Sequence, residues 1–156
     1  MWEIASALSE AWINNTPVVP FNAPYDLSIL SSELVRHGHA PLNITGAVID
    51  PYVIDKHLDP YRKGKRTLTA TATHYGVHLN RAHDATEDAL AAARIVWRIA
   101  QNNPDIATMP LDALHATQTV WAAEQAASFR KYRERKGEPT DGIDGAWPIR
   151  TRQETP

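Results

Sequence analysis

The stretch Val-Val-Pro-Phe-Asn-Ala-Pro-Tyr-Asp, residues 18–26, joins a short apolar run to the start of a helix. A continuous apolar run between turn-forming residues is typical of a buried strand, although Pro20 favours an edge or an end of that strand. Asn22 is a suitable N-cap, and Pro24 would lie in the first helical turn, where its missing N–H does no harm. The stretch therefore predicts a strand that leads directly into a helix, with Asp26 in the first turn.

Size and composition indicate one globular domain. The chain has 156 residues, of which 43% are hydrophobic and 22% charged, and it contains no cysteine, so disulfides and thiolate chemistry are excluded. The first residues lack the basic and apolar regions of a signal peptide, and no apolar run approaches the roughly 18 residues of a membrane span. We therefore expect a cytoplasmic protein that does not bind membranes. Because the net charge is −2, a nucleic acid would have to be held locally, by a basic patch or through metals bound at carboxylates.

The remaining periodicity predicts further helices and one more strand. Helices are expected over residues 2–13, from Asp50-Pro51 through Leu58, from Thr67 to Gly76, from Asp84 onward, and from about Leu111 to Arg135; the strand covers Thr45–Ile49. On the helix from Asp84, Ala85, Ala89, Ala92, Val96 and Ile99 form the predicted apolar face. The aromatic residues of the last helix are expected to pack on the domain. This order of elements favours an α/β domain with few strands, and Asp50 is interpreted as an N-cap rather than a metal ligand.

A second motif, His-Asp-Ala-Thr-Glu-Asp at residues 83–88, opens the Ala-rich helix. His83 would precede the helix, Asp84 would cap it, and Asp88 would lie in its first turns. Carboxylates such as Asp26 and Asp88 are ligands that Mg²⁺ or Mn²⁺ prefers, and His83 is a candidate general base. Together they suggest a metal-dependent phosphodiesterase. Taken singly, an aspartate in a first helical turn is more often a partner of the helix dipole.

The segment Arg62-Lys63-Gly64-Lys65-Arg66 is a predicted basic loop. Beside a nuclease site, its four cations Arg62, Lys63, Lys65 and Arg66 would be candidates for contacts with substrate phosphates. Such a charge run is more often a solvated turn, and both interpretations stay open.

The two motifs in this order, some sixty residues apart, resemble those of the DEDDh exonucleases, over about residues 2–100. The resemblance implies a ribonuclease H-like α/β fold, with Asp26 and Asp88 as metal ligands for two Mg²⁺ or Mn²⁺ ions and His83 as the base that deprotonates water. It also implies that Asn22 and Tyr25 shape the substrate cleft. The implied reaction is 3′–5′ hydrolysis of DNA or RNA to nucleoside monophosphates. The implied partner is a nucleic acid 3′ end, of single-stranded DNA above all, with a polymerase subunit or a second copy of the chain as further candidates.

The family's first motif, an Asp-x-Glu on the opening strand, has no counterpart here. No aspartate precedes Asp26, and Glu3 and Glu10 lie on the predicted first helix. We therefore expect an N-terminally truncated fold, with Met1 a start inside a longer gene or the chain a fragment, and weak metal binding by the chain alone.

The predicted organisation is an exonuclease-like domain over residues 1–103, a C-terminal helix over 104–136 and an irregular tail over 137–156. Two other functions stay open beside the exonuclease. The chain could be a non-catalytic nucleic-acid-binding or polymerase-binding module derived from an exonuclease, or a helical interaction domain whose last helix docks on another protein.

Overall fold

The computed structural model describes residues 1–79 and 84–151, and within these ranges the regular secondary structure is helical. The helices are α1 (Trp2–Ile13), α2 (Ala23–Arg36), α3 (Pro51–Leu58), α4 (Leu68–His74), α5 (Ala85–Asn102), α6 (Pro104–Ala107) and α7 (Leu111–Arg135). No sheet forms among the described residues, so the predicted α/β, ribonuclease H-like fold class is wrong. The predicted helices are confirmed, whereas α6 was not predicted.

The two predicted strands meet only in one isolated parallel bridge, between Val18 and Val48. The Val18 N–H donates to the Ala47 carbonyl at 3.0 Å, and the Val18 carbonyl accepts from the Ile49 N–H at 2.9 Å. The pairing does not extend beyond Val18 because the next residue that would face the partner is Pro20, which has no N–H to donate. The sequence identified two extended segments that lie side by side, but they are too short to be strands.

Side chains of α7 occupy the other edge of the segment that contains Val48. The Val48 N–H donates to His115 Nδ1 at 3.0 Å, and the Val48 carbonyl accepts from Gln118 Nε2 at the same distance. Gln118 is completely buried, and its Oε1 accepts from the Asp50 N–H at 2.7 Å. Two side chains of a helix therefore satisfy the backbone groups that a further strand would have paired.

The capping predictions are confirmed at three helices and wrong at one. Asp50, Thr67 and Asp84 accept hydrogen bonds from the first backbone N–H groups of α3, α4 and α5. Asn22 precedes α2 as expected, but its backbone is left-handed, with φ +66°, and its side chain makes no capping hydrogen bond. The capping role of Asn22 belongs instead to a distant carboxylate.

That carboxylate is Asp50, which is completely buried. Its Oδ1 accepts from the N–H groups of Asn22 (2.9 Å) and Tyr52 (3.0 Å). Its Oδ2 accepts from the Ala23 N–H (2.8 Å) and from the indole N–H of Trp147 (3.3 Å). Burial raises the pKa of Asp50, and these four hydrogen bonds oppose that rise. One carboxylate thus caps both α2 and α3 and holds the C-terminal segment.

The C-terminal helix and tail share the core of the preceding helices. Leu114 and Trp121 of α7 and Trp147 of the tail are buried in the same hydrophobic cluster as Ile49 and Ile54. Across the predicted boundary at 103–104, the described residues therefore form one continuous core. None of the helices in the described ranges has the length and apolar character needed to cross a lipid bilayer.

The buried face of α5 differs from the predicted one. Ala91, Ala92, Ile95 and Ile99 are the buried residues, whereas Ala89 is exposed. The two faces share Ala92 and Ile99 and differ by a rotation of the helix about its axis. Since α5 packs on α3, α4 and α6 rather than on a sheet, the neighbouring helices decide which alanines are covered.

We expect Asp50→Asn to lower the free energy of unfolding by about 3 kcal/mol, because the amide NH₂ would face N–H donors in a buried site. Urea denaturation followed by circular dichroism measures this. Asp84→Asn is the matched control: Asp84 is an exposed N-cap, and asparagine caps helices equally well. Equal stability of the two variants would contradict the role given to Asp50.

The contribution of two histidines to the stability should become less favourable as the pH is lowered from about 7.5 to about 5.5. Burial lowers the pKa of His115, and of His57, which stacks on Trp121, below the usual value. In that range the unfolded chain binds protons that the folded chain does not, so the unfolded state gains relative stability. Denaturation of wild type, of His115→Gln and of the exposed-site control His78→Gln at several pH values checks this. A pH dependence that is unchanged in His115→Gln would contradict the assignment for that residue.

Candidate functional site

The first of the two motifs in this chain, residues 22–26, which we call the first motif, lies at the accessible start of α2. Tyr25 is 58% exposed, and Asp26 is exposed in the first turn. Partial burial raises the pKa of Asp26, and a hydrogen bond to its own backbone N–H opposes the rise. Asn22 is half-buried, and its N–H is bound to Asp50. The motif therefore presents one carboxylate and one aromatic ring to solvent from a firmly held helix start.

The second motif is described only in part. His83 lies outside the described residues. Asp84 Oδ1 accepts from the N–H groups of Thr86 (3.0 Å) and Glu87 (3.3 Å), as predicted for the N-cap. Asp88 is half-buried in the first turn of α5, and its N–H donates to the Asp84 carbonyl at 2.9 Å. Both predicted metal ligands thus lie in the first turn of a helix.

The carboxylates do not form a metal cluster within residues 1–79 and 84–151. No group of three or more histidine, aspartate or glutamate side chains in these ranges could hold a metal ion. A two-ion site needs more oxygen ligands than Asp26 and Asp88 supply. The described residues therefore do not fit the two-ion site that the family resemblance implies.

Two arginines of the basic loop are bound to a buried carboxylate. Asp55 is completely buried, and its Oδ2 pairs with the guanidinium groups of Arg62 and of Arg66, the latter at 2.6 Å. Its Oδ1 accepts from the Tyr75 hydroxyl at 3.0 Å. Burial and the neighbouring Asp55 raise the pKa of Tyr75, which stays a donor. Asp55 thereby anchors the loop to α3 and the end of α4.

The two lysines of the loop have a different setting. Lys63 and Lys65 are exposed on either side of Gly64, which has φ +100°. The side chains of Arg62 and Arg66 are only 13% exposed. Of the four predicted phosphate contacts, the lysines are therefore accessible, and the arginines mainly neutralise Asp55.

A cavity of about 390 Å³ begins beside the first motif. Asn22 and Pro24 line one part of it, and Lys56 and Arg150 contribute cations. Burial lowers the pKa of Lys56, and the positive charge of Arg66 adds to this effect. The cavity places two basic groups within one opening next to the start of α2.

Sequence reasoning missed the importance of Asp50 beyond α3 and did not single out Asp55. For Asp55 a signal was present, because it lies four residues after Pro51 on the buried face of α3. A carboxylate on a buried helix face requires a cationic partner, and Arg62 and Arg66 follow closely in the chain. For Asp50 the contacts with Trp147 and Gln118 span 97 and 68 residues, a separation that no local pattern reveals.

The arginines and the lysines of the basic loop should differ in their effect on the free energy of unfolding. Arg62→Gln is expected to lower the free energy of unfolding by about 2 kcal/mol, because it leaves Asp55 buried with one guanidinium partner fewer. Lys63→Gln and Lys65→Gln, matched controls in the same loop, should change it by less than about 0.5 kcal/mol. Chemical denaturation measures all three, and a larger loss in the lysine variants would contradict the structural role of Arg62.

Comparison of the chain with protein-family models, curated proteins and solved structures finds no significant match. The functional assignment therefore depends on the residues themselves.

Proposed function

We propose that this chain is a metal-dependent 3′–5′ exonuclease component that hydrolyses terminal phosphodiester bonds of DNA or RNA to nucleoside monophosphates. The observation that carries the proposal is the ordered pair of motifs, residues 22–26 and 83–88, whose described residues 22–26 and 84–88 lie at the starts of α2 and α5. In this proposal Asp26 and Asp88 would contribute oxygen ligands to a metal ion, and His83, which lies outside the described residues, would accept the proton of the attacking water.

The surroundings of the first motif support the proposal. Asp26 is accessible to a hydrated cation, and the adjacent cavity carries Lys56 and Arg150. Cations within a cavity favour an anionic substrate, because they compensate phosphate charge. Tyr25 offers an exposed ring on which a terminal base can stack.

The small number of oxygen ligands limits how a metal ion could bind at Asp26 or Asp88. Mg²⁺ commonly binds proteins through one or two carboxylates and completes its shell with water and substrate phosphates. Because the described part of the chain supplies no group of three metal-binding side chains, water, substrate phosphates or another polypeptide would have to complete the shell of an ion bound at Asp26 or Asp88. Carboxylates from another polypeptide, such as the polymerase-type partner that the family resemblance implies, would strengthen such binding.

The test is release of mononucleotides from a 3′-labelled single strand with Mg²⁺, Mn²⁺ or EDTA. We expect metal-dependent release that falls by about 100-fold or more in Asp26→Asn, Asp88→Asn and His83→Ala. Asp112→Asn is the matched control, since Asp112 is an exposed aspartate in the first turn of α7. Release that survives all three substitutions would come from another site or a contaminant and would overturn the proposal.

A non-catalytic nucleic-acid- or polymerase-binding module is the second candidate. It is favoured by the lack, within the described ranges, of any group of three side chains that could hold a metal ion, together with the exposure of Lys63 and Lys65. Folded protein that binds single strands in EDTA but releases no nucleotide with Mn²⁺ would support this candidate over the enzyme.

A further inference from the structure

The end of α7 is rich in basic residues. Between residues 128 and 138 there are five cations and two carboxylates, whereas the whole chain has a net charge of −2. The cations are Arg130, Lys131, Arg133, Arg135 and Lys136. Arg133 and Arg135 lie in the last helical turn, where they also complement the helix dipole. Lys131 lies further inside the helix and is exposed, whereas the exposed Arg130 donates a hydrogen bond to the Ile143 carbonyl of the tail at 2.8 Å. Lys131 and Lys136 therefore add positive charge beyond the two arginines of the last turn.

This basic segment borders an open cleft of about 510 Å³ between α7 and the chain that follows α3. Tyr61 lines one wall, and Phe129 and Tyr132 line the other. These three rings are 91%, 47% and 43% exposed. The expectation that the aromatic residues of the last helix pack on the domain is therefore confirmed for Trp121, which is buried, and wrong for Phe129 and Tyr132.

Several rings of the cleft are arranged in nearly parallel pairs. His57 stacks on Trp121 with ring centroids 3.8 Å apart and an angle of 15° between the planes. Phe129 and Tyr132 are nearly parallel, with centroids 6.5 Å apart and an interplanar angle of 17°. Lys136 Nζ lies 4.6 Å from the centre of the Tyr132 ring, so cation and aromatic face are adjacent.

We infer that this cleft is a binding site for single-stranded nucleic acid, with bases stacked on Tyr61, Phe129 and Tyr132 and phosphates held by the cations of α7. Exposed aromatic rings beside a basic track are the combination that binds single strands without sequence preference. Lys56 and Arg135 line the cleft itself, so positive charge lies within reach of a backbone whose bases occupy the rings.

The carboxylates near the cleft help to choose the ligand. Glu124 lines the cleft, and Glu138 pairs with Arg133 at 3.1 Å. An acidic peptide would be attracted by the remaining cations, but its Asp and Glu side chains have no aromatic faces to stack on three exposed rings. A single strand offers both phosphates and bases, and duplex DNA keeps its bases stacked on one another. The cleft therefore favours single strands over acidic peptides and over duplexes.

The choice of a nucleic acid as ligand rests on the proposed function. The cleft is nevertheless a separate site, because its lining contains neither Asp26 nor Asp88. Binding in the cleft needs no metal ion. Binding measured in EDTA therefore tests the cleft, and nucleotide release with Mn²⁺ tests the catalytic proposal, so one can fail while the other holds.

The experiment is fluorescence anisotropy of a labelled 20-nucleotide oligothymidylate with the full chain in EDTA at several salt concentrations. Tyr61→Ala and Tyr132→Ala should each raise the Kd about tenfold, whereas Tyr61→Phe, which keeps the ring, should stay within about twofold. Neutralising Lys131, Arg135 and Lys136 to glutamine together should weaken binding and reduce the slope of log Kd against log salt by about 0.7 for each lost phosphate contact.

Matched controls lie on α5. Trp97→Ala removes a ring that is 58% exposed, and the pair Arg94→Gln and Arg98→Gln removes two cations, outside the cleft. Both should bind like wild type, and circular dichroism verifies the fold of every variant. Wild-type affinity in the tyrosine variants would overturn the proposal, as would equal competition by oligoglutamate or a duplex, or no binding by folded wild type.

Discussion

The buried carboxylate of Asp50 is the interaction on which the arrangement of the other elements depends. It accepts hydrogen bonds from the first backbone N–H groups of both α2 and α3 and from the indole of Trp147. Helix starts carry partial positive charge and unpaired donors, so a carboxylate between two of them satisfies both at once. Because Trp147 belongs to the C-terminal segment, the same contact also attaches the end of the chain to its middle. The position of the first motif, and hence of Asp26, follows from this one residue.

α7 provides the hydrogen-bond partners that the two extended segments cannot provide for each other. The segment of residues 47–49 has backbone groups on two edges, and Val18 binds those of one edge, the Ala47 carbonyl and the Ile49 N–H. His115 and Gln118 bind the N–H and carbonyl of the other edge. Buried backbone groups must be paired, and a helix supplies the pairs here. The helix that was expected to be an extension is therefore integral to the core, and its basic end is held at a fixed place beside Tyr61.

The helical positions of the candidate residues could be predicted from the sequence, but their tertiary contacts could not. The sequence located Asp26 and Asp88 in the first turns of two helices, because Pro24 and Asp84 mark helix starts locally. It did not predict that Arg62 and Arg66 would be bound to Asp55, since one loop of cations has the same composition whether it faces solvent or a buried carboxylate. The cleft beside α7 was likewise beyond the sequence, since it forms between segments about seventy residues apart in the chain.

The sequence by itself determined every described helix except α6, the caps of α3, α4 and α5, and the two extended segments, because these depend on periodicity and on residues within one or two turns of each other. Only the tertiary structure decided that no sheet forms in the described ranges, that Asp50 rather than Asn22 caps α2, and which face of α5 is buried. Each of these outcomes depends on contacts between residues far apart in the chain. Local sequence patterns determine which polar groups and apolar faces need a partner. The packing of α3, α5 and α7 determines which residues become those partners.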